Sequence, residues 1–370
     1  MKKNRLLGLA VVLFGTVGVM TSCGNTTAEY ALITDVGDID DESFNQTSWE
    51  ALKDFCVEND KTYAYYRPTE DSTAARLVQI DQAVQRGAKI VVCPGYLFED
   101  AVYEAQTKYP EVKFVLIDGK PHTTDGKTYE TKDNTVSIIF KEEIAGYLAG
   151  YAAVMDGSTK LGFCGGMAVP AVQRYGSGFV QGAEQAATEL NVTGTLDYYY
   201  AGAFAATDAA TSLMKTLYAA GTETIFASGG KVYLSVQEAA KEYPNAKWIG
   251  VDVDQSPVDT KVLTSAIKGL RESVTSALEV YNEGAWEDIA GKDYTLGLDS
   301  EFGNLDKMDY VGIPTSESAW RFETFTKDQY NAILTKIKDG DVTISDSVTD
   351  APTTSKLKIT WHTPFAGSEN

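Results

Sequence analysis

A chain of 370 residues is long for one ordinary hydrophobic core and suits two. With 44% hydrophobic residues it is globular rather than disordered, and 52 acids against 32 bases leave a formal charge of −20. That balance excludes nucleic acid as the default partner, and it disfavours an anionic membrane surface or a strongly anionic ligand, because each needs a basic face.

The start of the chain reads as an export signal. Lys2, Lys3 and Arg5 precede "LLGLAVVLFGTVGVM", a run too short and too glycine-broken for a comfortable spanning helix, and small residues follow it. Cys23, directly after Ser22, resembles the cysteine of a bacterial lipobox, although Met20 is an unusual first residue for one. The resemblance implies cleavage after residue 22, lipidation at Cys23 and tethering on the outer side of the cytoplasmic membrane. Without those first 22 residues, which hold three bases and no acid, the charge becomes −20 − 3 = −23. Cys56, Cys93 and Cys164 are then an odd set in apolar settings, which predicts buried free thiols rather than a disulfide framework.

The next feature is "ITDVGDIDDESFNQ" at 33–46, where Asp35, Asp38, Asp40, Asp41 and Glu42 follow a short apolar strand. A cation loop, a catalytic carboxylate pair and one wall of a polar pocket are all compatible with it. Gly37 is misplaced for an EF-hand, and no glutamate closes such a loop. Asp41 and Glu42 are well placed to complement the N-terminus of the helix that begins near Phe44.

Beyond it, short apolar runs alternate with helical patterns. Strands are expected in "YALITD" (30–35), "TYAYYRP" (62–68), "KIVVCPG" (89–95), "KFVLIDG" (113–119), "NTVSIIF" (134–140), "LGFCGG" (161–166), "TIFASGG" (224–230) and "KWIGVDVD" (247–254), with a last one near the tail. Three- and four-residue apolar spacing predicts helices over 141–156 and 270–284, and a third spans 170–189. Such alternation predicts an α/β fold of parallel sheets flanked by helices, with right-handed crossovers. No linker divides the chain, which suits two lobes joined by three crossing segments. The expected division is 28–140 plus 258–290 for the first lobe and 141–257 plus 291–370 for the second. The strands end in Asp35, Pro94-Gly95, Asp118-Gly119, Gly165-Gly166, Ser228-Gly229-Gly230 and Asp252. Ligands of open α/β sheets bind beyond the carboxyl ends of strands, so these residues predict a shared polar cleft.

Chemistry beyond binding finds little support. His122 and His362 are the only histidines, and no CxxC or HExxH pattern occurs, so no metal ligands are assigned. Ser177, in "QRYGSGF", lies inside a helical pattern rather than on a strand-to-helix elbow, and its glycines are read as close-packing residues. Asp35, Asp118 and Asp252 could hydrolyse a glycosidic bond only if the fold brought them together. No catalytic residue and no cofactor is assigned.

"TDVGDIDDESFNQTSWEAL" (34–52) resembles the signature of the Bmp (basic membrane protein) family of lipoproteins, whose best-understood members are purine nucleoside receptor A lipoproteins. "VVCPGYLFEDAV" (91–102), "FVLIDG" (114–119), "VSIIFKEEIAGYLAGYAA" (136–153), "GFCGGMAVPAVQRYGSGFVQGAE" (162–184), "WIGVDVDQS" (248–256) and "VLTSAIKGL" (262–270) continue the resemblance in the family's order. It implies a two-lobed type I periplasmic-binding-protein clamshell, acting as the substrate-binding component of an ABC importer. The partners implied are a purine nucleoside, ABC permease subunits and, through Cys23, the membrane; the protein is expected to be a monomer and not an enzyme.

The resemblance also implies roles for particular residues. Phe44 and Phe204 would lie against the two faces of a purine. Asp35 and Asp118 would accept from the base N–H groups with Asn45 assisting, and Asp252 and Lys268 would fix ribose hydroxyls. Gly229 would let the backbone approach the sugar. One departure is "SGGKVYLSV" (228–236), where relatives tend to continue the double glycine with Thr-Gly; Lys231 and Tyr233 are expected to add charge and bulk at the rim of the sugar site. Family relatives are also associated with riboflavin and with host-surface binding, which leaves those as alternatives. A nucleoside hydrolase is the enzymatic rival, and released free base would reveal it.

Overall fold

A computed structural model describes residues 27–35 and 37–367. The expected leader and Cys23 lie outside the described residues.

The first half of the chain builds one sheet, beginning with three strand–helix steps. Strand β1 (Tyr30–Ile33) leads to α1 (Phe44–Glu58), β2 (Tyr63–Tyr66) to α2 (Thr73–Gln85), and β3 (Ile90–Pro94) to α3 (Glu99–Lys108). Then come β4 (Lys113–Ile117) and β5 (Thr135–Phe140). Strands β1, β3, β4 and β5 are apolar and almost wholly buried, as parallel strands must be when helices form the crossovers, whereas the edge strand β2 is exposed at Tyr65.

From α4 (Glu142–Met155) the chain builds a second sheet. It runs through β6 (Lys160–Gly165), α5 (Pro170–Leu190), β7 (Gly194–Tyr200), α6 (Asp208–Ala219), β8 (Thr224–Ser228), α7 (Tyr233–Ala240), β9 (Lys247–Asp252) and β10 (Val262–Lys268). Helix α8 (Leu270–Asn282) returns to pack beside α1, where Arg271 pairs with Glu50 and Asp54. Strand β11 (Lys292–Leu296) and the small hairpin β12 (Ser300–Phe302) and β13 (Leu305–Met308) follow. Strand β14 (Val311–Gly312), α9 (Lys327–Lys338) and β15 (Leu357–Trp361) end the fold.

The first sheet has the order β11-β5-β4-β3-β1-β2, and the second β14-β10-β9-β8-β6-β7-β15. Every pairing in them is parallel except β14 on β10. Two apolar clusters lie under the outer helices, one against each sheet, and a third fills the space among the inner sheet faces, α1, α4, α5 and α8.

Two strands sit opposite to the expected lobe boundaries. Val262–Lys268, expected in the first lobe, pairs with β9 in the second sheet, and Lys292–Leu296, expected in the second lobe, pairs with β5 in the first. The return crossing therefore follows Lys268 instead of preceding residue 258. A short apolar run looks the same whichever sheet it joins; pairing in space decides.

Helices α4 and α5 pack at backbone contact. A Cβ on Gly146 or Gly150 would fall 2.1 Å from the Tyr175 or Phe179 carbonyl oxygen, and one on Gly178 or Gly182 would fall 2.0 or 1.9 Å from the Glu143 or Tyr147 carbonyl oxygen. The glycines of "GSGFVQG" are thus packing residues, and Ser177 is buried among them. This close crossing sets Glu142, Arg174 and Tyr175 at the floor of the space between the lobes. Cys56, Cys93 and Cys164 are free and buried. Among the described residues no helix is long and apolar enough to cross a membrane.

Candidate ligand-binding cleft

The carboxyl ends of both sheets face one another across a cleft. All eight residues expected at a ligand site line it: Asp35, Phe44, Asn45, Asp118, Phe204, Gly229, Asp252 and Lys268.

The acid-rich loop after β1 divides by role. Asp35 is buried at the strand end, where its Oδ1 accepts from the Gly37 N–H (2.5 Å) and the Asn45 side-chain amide (3.0 Å). Burial pushes its carboxyl above the usual range, against those two donors. Asp41 is buried too and accepts from the N–H groups of Ser43, Asn45 and Gln46 at 2.9, 3.0 and 3.1 Å. It therefore caps α1, satisfying helix N–H groups that would otherwise lack partners, and so fixes Phe44 at the cleft wall. Asp38 and Asp40 do neither. They reach the other lobe and pair with Lys231 Nζ at 2.9 and 2.7 Å, while Arg67 also pairs with Asp38 at 2.6 Å.

Lys231 thus binds across the mouth, more specifically than a rim charge, and Tyr233 is no rim residue. It is buried and stacks on Trp248, with ring centroids 5.7 Å apart. Gly229 also differs from expectation. Its φ of 128° favours glycine, and a Cβ there would meet Gly166 and the Phe204 ring at 3.2 Å. The close approach it permits in this structure is that of Phe204.

Lys268 is the electrostatic centre. Its side chain, 2% exposed, pairs through Nζ with Asp118 Oδ2 of the opposite lobe, and Nζ lies 3.5 Å from both Glu142 Oε1 and Asp252 Oδ1. The ammonium also stands 4.7 Å from the centre of the Phe44 ring. Burial alone would discharge it, but Asp118, Asp252 and Glu142 together hold its pKa above the ordinary lysine value. Asp252 also accepts from Ser43 Oγ of the other lobe at 2.6 Å and from Tyr175 OH at 3.3 Å. Behind Lys268, fully buried Glu142 receives the Arg174 Nε–H at 2.6 Å.

Two polar atoms of the wall, Asp118 Oδ1 and Ser228 Oγ, are buried without a hydrogen-bond partner among the described residues. Buried polar groups are costly unless satisfied, so a donor supplied by a ligand at either would be favoured. Gly95 and Ser228, both expected at strand ends facing a cleft, line it as well, as do Tyr96, Val172 and Tyr175, which were not singled out in the sequence. Gly95 had a usable signal: it precedes a short helical turn at a strand end, as Gly229 does.

Residues 28–345 match the Bmp family, described as PnrA-like ABC transporter substrate-binding proteins. The chain belongs to the Bmp family of ABC transporter substrate-binding proteins. A CD4+ T-cell-stimulating antigen of Listeria monocytogenes is 30% identical, over 93% of this chain and 99% of that one. The ABC transporter nucleoside-binding protein BmpA of Lactococcus lactis is 28% identical, over 92% and 99%. An ABC transporter solute-binding protein of Aeropyrum pernix superposes with a TM-score of 0.67 at 21% identity, over 85% and 86% of the two chains, which supports the periplasmic-binding-protein fold. Bmp proteins are substrate-binding components and not enzymes, so a small-molecule ligand and an ABC permease are the partners.

The buried acids give this Bmp-family chain a definite pH response. Burial, outweighing Lys268, raises Asp118 to about 7; burial and the adjacent Glu142 raise Glu143 to about 7; burial raises Asp41 to about 6. Each folded value lies above the unfolded one, so the fold favours the protonated forms. The stability they contribute is full below the unfolded carboxyl range and drains as pH rises through 6 to 7. The urea midpoint of protein stripped of ligand should fall as pH goes from about 5 to about 8, and Glu143→Gln should flatten part of that slope. A midpoint that rises over this window would contradict the assignment.

Proposed function

We propose that the protein is a monomeric, lipid-anchored receptor that captures purine nucleosides between its lobes and passes them to an ABC permease for uptake. The observation that carries this reading is the composition of the cleft. Two phenylalanines, one from each lobe, stand among four buried aspartates, with Lys268 the sole cation in the lining among the described residues. A nucleoside presents a flat apolar face, N–H donors and hydroxyls, and no charge. Aromatic walls accommodate the base, and acceptors suit its donors and those of the ribose. In this reading Asp35 and Asp118, with Asn45, take the base; Asp252 and Lys268 take the ribose. A phosphorylated nucleotide would bring negative charge to a carboxylate-rich wall. The nucleoside-binding name of the Lactococcus relative supports the same ligand class.

Calorimetry with inosine, guanosine, adenosine and riboflavin tests the ligand. At least one nucleoside should bind tightly and one-to-one; silence from all four overturns the reading, and riboflavin alone would change the ligand. Phe44→Ala or Asp252→Ala should each weaken binding about ten-fold or more while leaving the fold intact.

Closure can be read separately. A nucleoside is uncharged, so any salt dependence of its affinity has to come from the protein, and the Lys231 pairs with Asp38 and Asp40 cross the mouth. These pairs are partly exposed, which keeps their contribution small. Raising salt from about 0.05 M to about 0.5 M should weaken binding about two- to five-fold, and Lys231→Met should weaken it similarly and remove the salt effect.

The anchor has its own test. Cys23→Ser should move the protein from the membrane fraction to the medium; unchanged membrane retention would count against lipidation at Cys23.

A further inference from the structure

Glu142 lies on α4, outside the cleft lining, yet its side chain is wholly buried, at 0% exposure. A carboxylate so placed demands compensation. One oxygen, Oε2, has it from Arg174 Nε at 2.6 Å. The other, Oε1, has no hydrogen-bond partner among the described residues, although Lys268 Nζ is only 3.5 Å away.

The neighbours of Lys268 explain why that oxygen matters. The ammonium holds Asp118 Oδ2, and Asp118 is one of the acceptors a nucleoside would engage. A ligand donor can take the unpartnered Oδ1 of Asp118, and as it does so the charge of that carboxylate is shared between the ligand and Lys268, so the ammonium gains from a second acceptor within a small torsional movement. Asp252 is equally near, but its Oδ2 already accepts from Ser43 and its Oδ1 from Tyr175. Glu142 Oε1 is at the same distance and uncommitted. Arg174 holds the carboxylate still from behind, and the N-terminal turn of α4 favours a negative charge there.

We propose that Glu142 is a positioning residue: its Oε1 receives the Lys268 ammonium when a ligand donor engages Asp118, so that Lys268 stays charged and aimed at the ligand. This rests on the nucleoside reading above. The charged or titratable groups facing the pair are Asp118 from β4, Asp252 from β9, Arg174 and Tyr175 from α5, and Glu143 from α4 itself. Removing the charge of Glu142 leaves Lys268 committed to Asp118, which then ionises more easily.

The test is calorimetric titration of inosine, guanosine and adenosine across pH, using the unaltered protein, Glu142→Gln and Glu142→Asp. Glu142→Gln should bind about ten-fold more weakly, and the midpoint of its affinity-against-pH curve should move to lower pH. Glu142→Asp should recover part of both. Should Glu142→Gln fail to fold because Arg174 loses its partner, the double variant Glu142→Gln/Arg174→Gln removes both charges together and should show the same two changes. A folded variant that binds within about two-fold of the unaltered protein, with its midpoint unmoved, overturns the role of Glu142 alone. Weaker binding with an unmoved midpoint also overturns it, leaving Glu142 a structural residue. Silence of the unaltered protein toward every nucleoside overturns the nucleoside reading and this inference with it.

Discussion

The arrangement of the cleft depends on one buried ammonium. Lys268 ends β10 in the second lobe, and Asp118 directly follows β4 in the first. An isolated ammonium at that depth would be driven to lose its proton, because burial penalises the charged form. Carboxylates from both lobes reverse that outcome: Asp252 and Glu142 from its own lobe, and Asp118 from the other, which reaches it only across the cleft. The same cation that faces the cleft therefore also records whether the cleft is closed.

A second consequence follows for the carboxylates. Three of them, Asp118, Asp252 and Glu142, converge on one lysine, so they cannot all be compensated at once. Glu142 stays below the usual range because Arg174 and Lys268 outweigh its burial, whereas Asp118 is left raised. The imbalance sits at Asp118, which lines the cleft. An acceptor with an unpaired oxygen and incomplete charge compensation is where an incoming donor gains most.

Much of this was legible in the sequence. The strand ends pointed to a shared cleft, and the residues carried by resemblance all line it. Strands with continuous apolar character, such as Ile90–Pro94 and Lys113–Ile117, are covered on both faces and announced themselves. Gly194–Tyr200 did not, because its buried Leu196, Tyr198 and Tyr200 alternate with less buried residues and the stretch lacks a solid apolar run. The acid loop was read in part: Asp41 as a helix-start charge agrees with the cap it forms, but Asp38 and Asp40 gave no sign of reaching across to Lys231. Contacts between residues some 190 positions apart belong to topology, and local pattern carries no trace of them. Glu142 and Arg174 were hidden for a related reason. A charged residue at a helix start normally means solvent, and only the glycine-lined crossing of α4 on α5 buries Glu142 and partly covers Arg174.

A longer-range pattern joins the two halves of the site. Gly95 and Gly229, Tyr109-Pro110 and Tyr243-Pro244, Lys113 and Lys247, and Asp118 and Asp252 all lie 134 positions apart (229 − 95 and 252 − 118). Structure follows the spacing: Gly95 and Gly229 have φ of 120° and 128°, and Asp118 and Asp252 have φ of 60° and 66°. Each lobe therefore presents the same pair of strand-end turns to the cleft, and each aspartate adopts a left-handed conformation that short polar side chains tolerate. A search for short repeats misses a period of this length. With the scaffold repeated, the chemical difference between the two walls has to come from the positions where the repeat breaks. After the shared glycine, one lobe continues with Tyr96-Leu97 and the other with Gly230-Lys231. The first choice lines the cleft with apolar surface, and the second makes room for Phe204 and sends a cation across the mouth. Asymmetry laid over a symmetric frame is what lets two similar lobes hold a ligand whose two ends differ.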